Sequence, residues 1–193
     1  MLPPHAPPSF SDRSTLWNSV EQTEKSNNSQ LAREIELALP VELSREEQTR
    51  LVREYCSSQF VSKGMCADFN IHDTGSGNPH AHILLTMRPL DEKGAWAAKS
   101  KKEYVLDESG EKILLPSGRY KTRKIDLMDW NRQENADLWR KAWADMANDF
   151  LEQNGSAERI DHRSNAERGI DEIPTVHMGV AACQMEKKGI ATE

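Results

Sequence analysis

No run of apolar residues approaches the roughly 18 that a membrane-spanning helix needs, so the chain offers no candidate transmembrane segment. The proline-rich start lacks the basic segment and apolar stretch of a secretory signal. Cysteine is scarce. Cys56, Cys66 and Cys183 make an odd count without C-x-x-C spacing, which argues against a disulfide framework and for a reducing compartment, the cytoplasm by default. Positive charge is not in excess: with a formal net charge of −6, any nucleic-acid binding must come from local basic patches. Tyrosine occurs only at Tyr55, Tyr104 and Tyr120. A length of 193 residues suits one domain with a sizeable core, or one domain with an extension.

Histidine, by contrast, is concentrated. Three of the six histidines fall within eleven positions of NIHDTGSGNPHAHILLTMRP, residues 70–89. Residues 65–72 alternate as a strand with one buried face, Met65, Ala67, Phe69 and Ile71 on one side and Cys66, Asp68, Asn70 and His72 on the other. DTGSGNP is turn-forming, and Pro79 suits the first position of a second strand. There Ala81, Ile83, Leu85 and Met87 share the apolar side while His80, His82, Leu84 and Thr86 face the other way. An antiparallel hairpin then places His72 beside His80 and His82. Three converging imidazoles suit a divalent metal with coordination positions left open. The competing reading, polar residues on a solvated sheet face, leaves the shared parity unexplained.

Residues 1–11 carry four prolines and form an extended start. A helix follows from Ser11 or Asp12, with Leu16, Trp17 and Val20 as its apolar stripe. LAREIELALP alternates, Ile35, Leu37 and Leu39 opposing Glu34, Glu36 and Ala38, a strand with two carboxylates on its polar side. Ser44 and Glu47 make a capping box for a helix through Leu51, Val52, Tyr55, Phe60 and Val61, stopped at Gly64. EYVLDESGEKILL is an exposed hairpin turning at 108–110, within a flap over 91–128. The clusters KSKK and RYKTRK flank it, and Lys99, Lys101, Lys102, Arg119, Lys121, Arg123 and Lys124 read equally as solvated loop or as phosphate contacts. A long amphipathic helix is expected from Asp129, with Trp130, Leu138, Trp139, Trp143, Met146, Phe150 and Leu151 inward and Gly155 at its end.

This order of elements predicts an α+β fold, a mostly antiparallel sheet with helices packed on one face. The other face would present Glu34, Glu36, Asp68, Asn70 and the histidines. One domain over residues 1–182 and a tail over 183–193 is the expected division.

REIELALP, GMCADFNIHDTGSGNPHAHILLTMRPL, DWNRQENADLWRKAWADMANDFLEQNG and RIDHRSNAERGIDEIPTVHMG resemble successive blocks of the MobA/MobL family of plasmid relaxases, within the wider HUH single-strand endonucleases. The resemblance runs from about residue 10 to about residue 182. It implies a five-stranded antiparallel sheet flanked by helices, and a divalent metal (Mg, Mn or Zn) held by His72, His80 and His82. It also implies cleavage of single-stranded DNA at a plasmid transfer origin, in company with other relaxosome proteins and away from the membrane. The family's acidic residues correspond to Glu34 and Glu36, placed to orient a ligand or the nucleophile's proton. Asp68 or Glu36 would accept the free ring N–H of a metal-bound histidine. Arg163 and His162 of IDHRS, and His177 of TVHMG, could contact phosphates or staple the end of the long helix.

The sequence departs from the family pattern at the nucleophile. The family's tyrosine follows a first strand, and nothing like that segment precedes LPPHAPPSFSDR, so the first strand is expected to be missing. Tyr55, Tyr104 and Tyr120 match no family position. The resemblance therefore implies partial function, either a nicking and joining domain lacking its nucleophile or a non-catalytic single-stranded DNA-binding or structural remnant of one.

Overall fold

The computed structural model describes residues 1–75, 77–172 and 179–190 of the chain. The first unit is Met1–Ile160 and the second Asp161–Glu193. In the first, Asp12 caps α1 (Arg13–Thr23) by accepting from the Thr15 backbone N–H at 2.8 Å. Strand β1 (Ala32–Ala38) follows, then α2 (Arg45–Gln59). Ser44 caps α2 by accepting from Glu47 N at 3.2 Å, and Glu46 and Glu47 place negative charge at its positive end. The chain leaves α2 through a short 3-10 turn and reverses at Gly64, whose φ of 92° lies in the left-handed region.

Strands β2 (Ala67–His72) and β3 (His80–Thr86) form the expected hairpin, and β1 pairs on the other side of β3, giving the antiparallel order β1-β3-β2. The register sets Leu37 beside Ala81 and Ile71, and Ile35 beside Ile83 and Phe69. These residues line the face covered by α2 and by α3 (Glu134–Gln153), whose Trp139, Trp143, Phe150 and Leu151 join Leu51, Val52, Tyr55 and Phe60 in one buried cluster. The resulting fold is α+β with an antiparallel sheet at its centre.

The other sheet face is partly covered too. Arg13 Nε and Trp17 Nε1 of α1 both donate to Asp68 Oδ2, at 2.7 and 3.0 Å. A second cluster of Phe10, Leu16, Cys66 and Leu90 surrounds this end. The proline-rich start is docked: Met1 exchanges backbone hydrogen bonds with Ala67 of β2, and His5 reaches the Leu90 carbonyl at 3.2 Å. A Cβ at Gly94 would lie 2.9 Å from the His5 carbonyl, so the close approach of the two backbones needs glycine there.

Three expectations need correction. The central sheet has three strands among the described residues, where the family resemblance implied five; β4 (Ser100–Tyr104) and β5 (Thr122–Asp126) pair with each other in a separate ribbon. Most of their residues are exposed and most are polar or charged, so the ribbon has no apolar face to lay against the core. Helix α3 begins five residues beyond Asp129, because the Asp129 carbonyl is taken by Arg132 N and by the Asn135 side-chain amide. Leu138 lies within α3 but off the stripe of Trp139, Trp143 and Phe150, and is exposed, not inward. The second unit holds α4 (Val180–Lys187). No described helix is long and apolar enough to cross a membrane.

Candidate metal centre

The alternation of side chains along β2 and β3 sends His72, His80 and His82 to one face, opposite the core. His72 and His80 are directly opposed in the ladder, and His82 lies one row inward, between Asn70 and Glu36. The seven-residue loop between the strands is held by Asp73. Its Oδ1 accepts from Gly75 N at 2.9 Å, and its Oδ2 pairs with Arg45 of α2 at 3.1 Å. Gly75 and Gly77 supply the positive φ angles the turn demands. Across the sheet, His80 faces Ala38.

The three imidazoles converge. Ring centroids lie 4.7 Å apart for His72 and His82, 5.1 Å for His80 and His82, and 5.5 Å for His72 and His80. One ring nitrogen from each residue falls within 4.8 Å of the other two. A tetrahedral ion with bonds near 2.1 Å holds its nitrogens about 3.4 Å apart, so small ring rotations close the set. The hydrogen bonds select the nitrogens. His80 Nδ1 lies 2.9 Å from the Asn78 carbonyl and His82 Nδ1 lies 2.8 Å from Glu34 Oε1. Carbonyl and carboxylate oxygens accept, so in each ring Nδ1 donates and Nε2 is the nitrogen left for a ligand. A carboxylate or carbonyl behind the ring is the usual support of a metal-bound histidine. The three residues thus fit a divalent ion.

The other candidate residues fall into distinct places. Glu34 supports His82; Glu36 is exposed and is the strand neighbour of His82. Asp68 shares the histidine face but lies two rows from His72, and its carboxylate is taken by Arg13 and Trp17. It therefore braces α1. Lys99 is also committed: its ammonium meets Glu24 at 2.6 Å and the Gln30 carbonyl at 2.8 Å, and Arg88 meets the same carboxylate at 3.1 Å. Burial raises the Glu24 pKa, but the hydrogen bonds from Arg88 and Lys99 outweigh it and leave the carboxyl below its usual range.

On the ribbon, Arg123 pairs with Glu103 at 2.8 Å and Lys124 with Asp126 at 2.7 Å. Lys101, Lys102, Arg119 and Lys121 are outward and make no ion pair with described residues. In the second unit Arg163 is held by Asp161 at 2.7 Å, and its guanidinium keeps that carboxyl far below the ordinary range. His162 is exposed to an intermediate degree, and His177 lies outside the described residues. Sequence reasoning missed the Asn78 carbonyl, although N-P-H two residues before a strand histidine was its signal.

Tyr55 is fully buried and its hydroxyl donates to the Trp139 carbonyl at 3.0 Å. Burial raises its pKa well above the usual phenol value. Tyr104 and Tyr120 are on the ribbon, so no tyrosine of the described residues lies on the histidine face.

Known proteins resemble this chain. The probable mobilization protein MobA of Bifidobacterium longum is 35% identical over the whole chain, which covers 36% of that protein. A conjugal transfer protein TraA of Agrobacterium fabrum is 39% identical over 90% of the chain, which covers 15% of it. The chain thus spans 36% of the first relative's length and 15% of the second's. A solved structure described as the molecular basis of vancomycin resistance transfer in Staphylococcus aureus superposes with a TM-score of 0.69 at 35% identity, covering 85% of this chain and 73% of that one. The model of the MobA/MobL family matches residues 1–188, and the chain belongs to that family.

Proposed function

We propose that this chain is a relaxase-type domain of the HUH class, which positions a scissile phosphodiester of single-stranded DNA at a plasmid transfer origin for nicking and rejoining. The observation that carries the reading is the convergence of His72, His80 and His82, two of them with Nδ1 anchored behind the ring. Family membership and the mobilisation and conjugal-transfer names of the relatives support it.

His72, His80 and His82 would hold a divalent ion, which when bound offsets charge developing on the non-bridging phosphate oxygens. Three neutral ligands leave that charge undiminished, and imidazole suits manganese or zinc better than magnesium. Glu34 fixes the His82 tautomer, and Glu36 is placed to accept a proton at the edge of the site. Lys101, Lys102, Arg119 and Lys121 would meet the DNA backbone, and Arg123 and Lys124 would exchange their exposed pairs with Glu103 and Asp126 for it; Lys99 is held by the buried Glu24, and Arg163 by Asp161. Other relaxosome proteins and the cytoplasm complete the setting.

The covalent step needs a tyrosine. Tyr55 is enclosed in the core with its proton donated to a carbonyl, which favours a second reading, binding and phosphate polarisation without covalent chemistry in this chain. One experiment separates them. Purified protein is incubated with manganese and labelled transfer-origin oligonucleotides. Binding that manganese strengthens, without adduct, is the result expected of the second reading, and a tyrosine-linked product establishes the first. Calorimetry of His80→Ala with His82→Ala should show metal binding abolished; unchanged affinity rules out the triad.

A further inference from the structure

The ribbon carries a surface that the metal centre does not explain. Between 99 and 126 there are eight Lys or Arg against five Asp or Glu, a local excess of +3 in a chain of net charge −6. Its register places Lys102 directly opposite Lys124 and Tyr104 opposite Thr122. Like charges facing each other across a ladder are destabilising. Among the described residues Asp126 pairs with Lys124 at 2.7 Å and no carboxylate pairs with Lys102.

On this same face, the Tyr104 and Tyr120 rings meet edge to face at 5.8 Å, and Lys112 Nζ sits 4.1 Å from the first ring centroid and 5.6 Å from the second. Both tyrosines are about half exposed, at 49% and 51%. Rings left that far in water contribute little to folding by burial. Yet their positions are fixed. Val105 N donates to Lys121 O, Lys121 N to Ile113 O and Ile113 N to Val105 O, at 2.9, 2.8 and 3.1 Å, a closed ring of backbone hydrogen bonds joining three chain segments. Two tight turns branch from it, at 107–110 and 115–118, and bridges from Leu106 to Lys112 and from Leu114 to Tyr120 bring the cation and the second ring to Tyr104.

We infer that Tyr104, Tyr120 and Lys112 form a stacking platform for an unpaired nucleobase of single-stranded DNA, with Lys102 and Lys124 meeting the phosphates beside it. The inference rests on the DNA-binding part of the proposed function but uses none of the histidines. A rigid, exposed aromatic pair offers a π-face that any base can use, and neighbouring lysines track the backbone. Lys112 is held over the rings by an exposed cation–π contact of only about 0.5–1 kcal/mol. An incoming base displaces it at little cost, and its charge stays close to the strand. A duplex hides its base faces, so this surface selects single strands.

The test is fluorescence anisotropy without metal, at one ionic strength for comparing strands and over a salt series for the lysine variant, using a thymidine oligonucleotide about 16 nucleotides long, its abasic counterpart, and a duplex of the same length. The expected result is binding of the thymidine strand about tenfold or more tighter than the abasic strand, the size of a lost base–aromatic stack. Tyr104→Ala with Tyr120→Ala should erase that preference while keeping abasic affinity, and Tyr104→Phe with Tyr120→Phe should retain it. Lys102→Ala with Lys124→Ala should weaken both strands and flatten the salt dependence by about 1.4 in log–log slope, for two phosphates at roughly 0.7 each. Equal binding of thymidine and abasic strands, preference for the duplex, no binding of the thymidine strand, or an unchanged preference in the alanine pair would each overturn the inference. Calorimetry of metal binding without DNA reports on the histidine centre separately, so the two readings fail independently.

Discussion

Glu34 Oε1 accepts a hydrogen bond from His82 Nδ1 at 2.8 Å, although the ladder partner of His82 is Glu36. The contact runs along the diagonal of two paired strands, a distance long side chains cover readily. It makes the two carboxylates unequal. Removing the acceptor behind a ligating histidine typically lowers metal affinity about 10- to 100-fold. Glu34→Ala should therefore weaken manganese binding by that amount in calorimetry, whereas Glu36→Ala should leave it within about twofold. Equal effects of the two substitutions would mean that the diagonal contact does not support the site.

The faces of β2 and β3 were legible in the sequence because a period of two admits only two placements, and Ala81, Ile83 and Leu85 had to be buried. What periodicity does not carry is the partner across long chain separations. Asp68 has the correct parity, but Arg13 and Trp17 lie more than 50 positions away and claim its carboxylate. Lys99 reads as a free flap cation until Glu24 is found beside it. The ribbon strands were missed for another reason: SKKEY and TRKID are polar on both faces, so they carry no alternation to read.

The Tyr55 hydroxyl makes a buried hydrogen bond to the Trp139 carbonyl, and the ring packs edge to face on Phe60 and Trp143. Tyr55→Phe should cost about 1 kcal/mol, the net worth of such a bond. Tyr55→Ala should cost about 3–5 kcal/mol through the cavity it leaves. Urea denaturation measures both. Strand nicking by the Phe variant at the wild-type level would place the nucleophile elsewhere, and loss of nicking in a folded Phe variant would contradict the core role given to Tyr55.

Cys56 and Cys66 are fully buried, and burial pushes their thiols up to about 12 and about 11. At pH 8 the reactive thiolate is then only about one part in ten thousand of Cys56 and one in a thousand of Cys66. Native protein treated with iodoacetamide should be alkylated at Cys183 alone, and all three cysteines should react in denaturant. Mass spectrometry of the peptides decides it; modified Cys56 or Cys66 in native protein would show that the core opens there.

Glu24 joins α1 to the chain beyond β3 through Arg88 and Lys99, and its side chain is only 7% exposed. Its folded pKa lies below the usual carboxyl value, so the unfolded chain binds the proton more readily. The associated stability is present above about pH 4.5 and is lost as pH falls through the lower folded pKa. Breaking a fully buried pair costs about 3–5 kcal/mol; Arg88 and Lys99 keep 20% and 27% of their surface in water, so Glu24→Gln should cost nearer to about 2 kcal/mol. That loss should be measured by urea denaturation at pH 7, and the gap between variant and wild type should narrow as pH drops below 4.5 because wild-type Glu24 is then neutralised as well. A gap that stays constant down to pH 3 would show that Glu24 acts through packing and not through its charge.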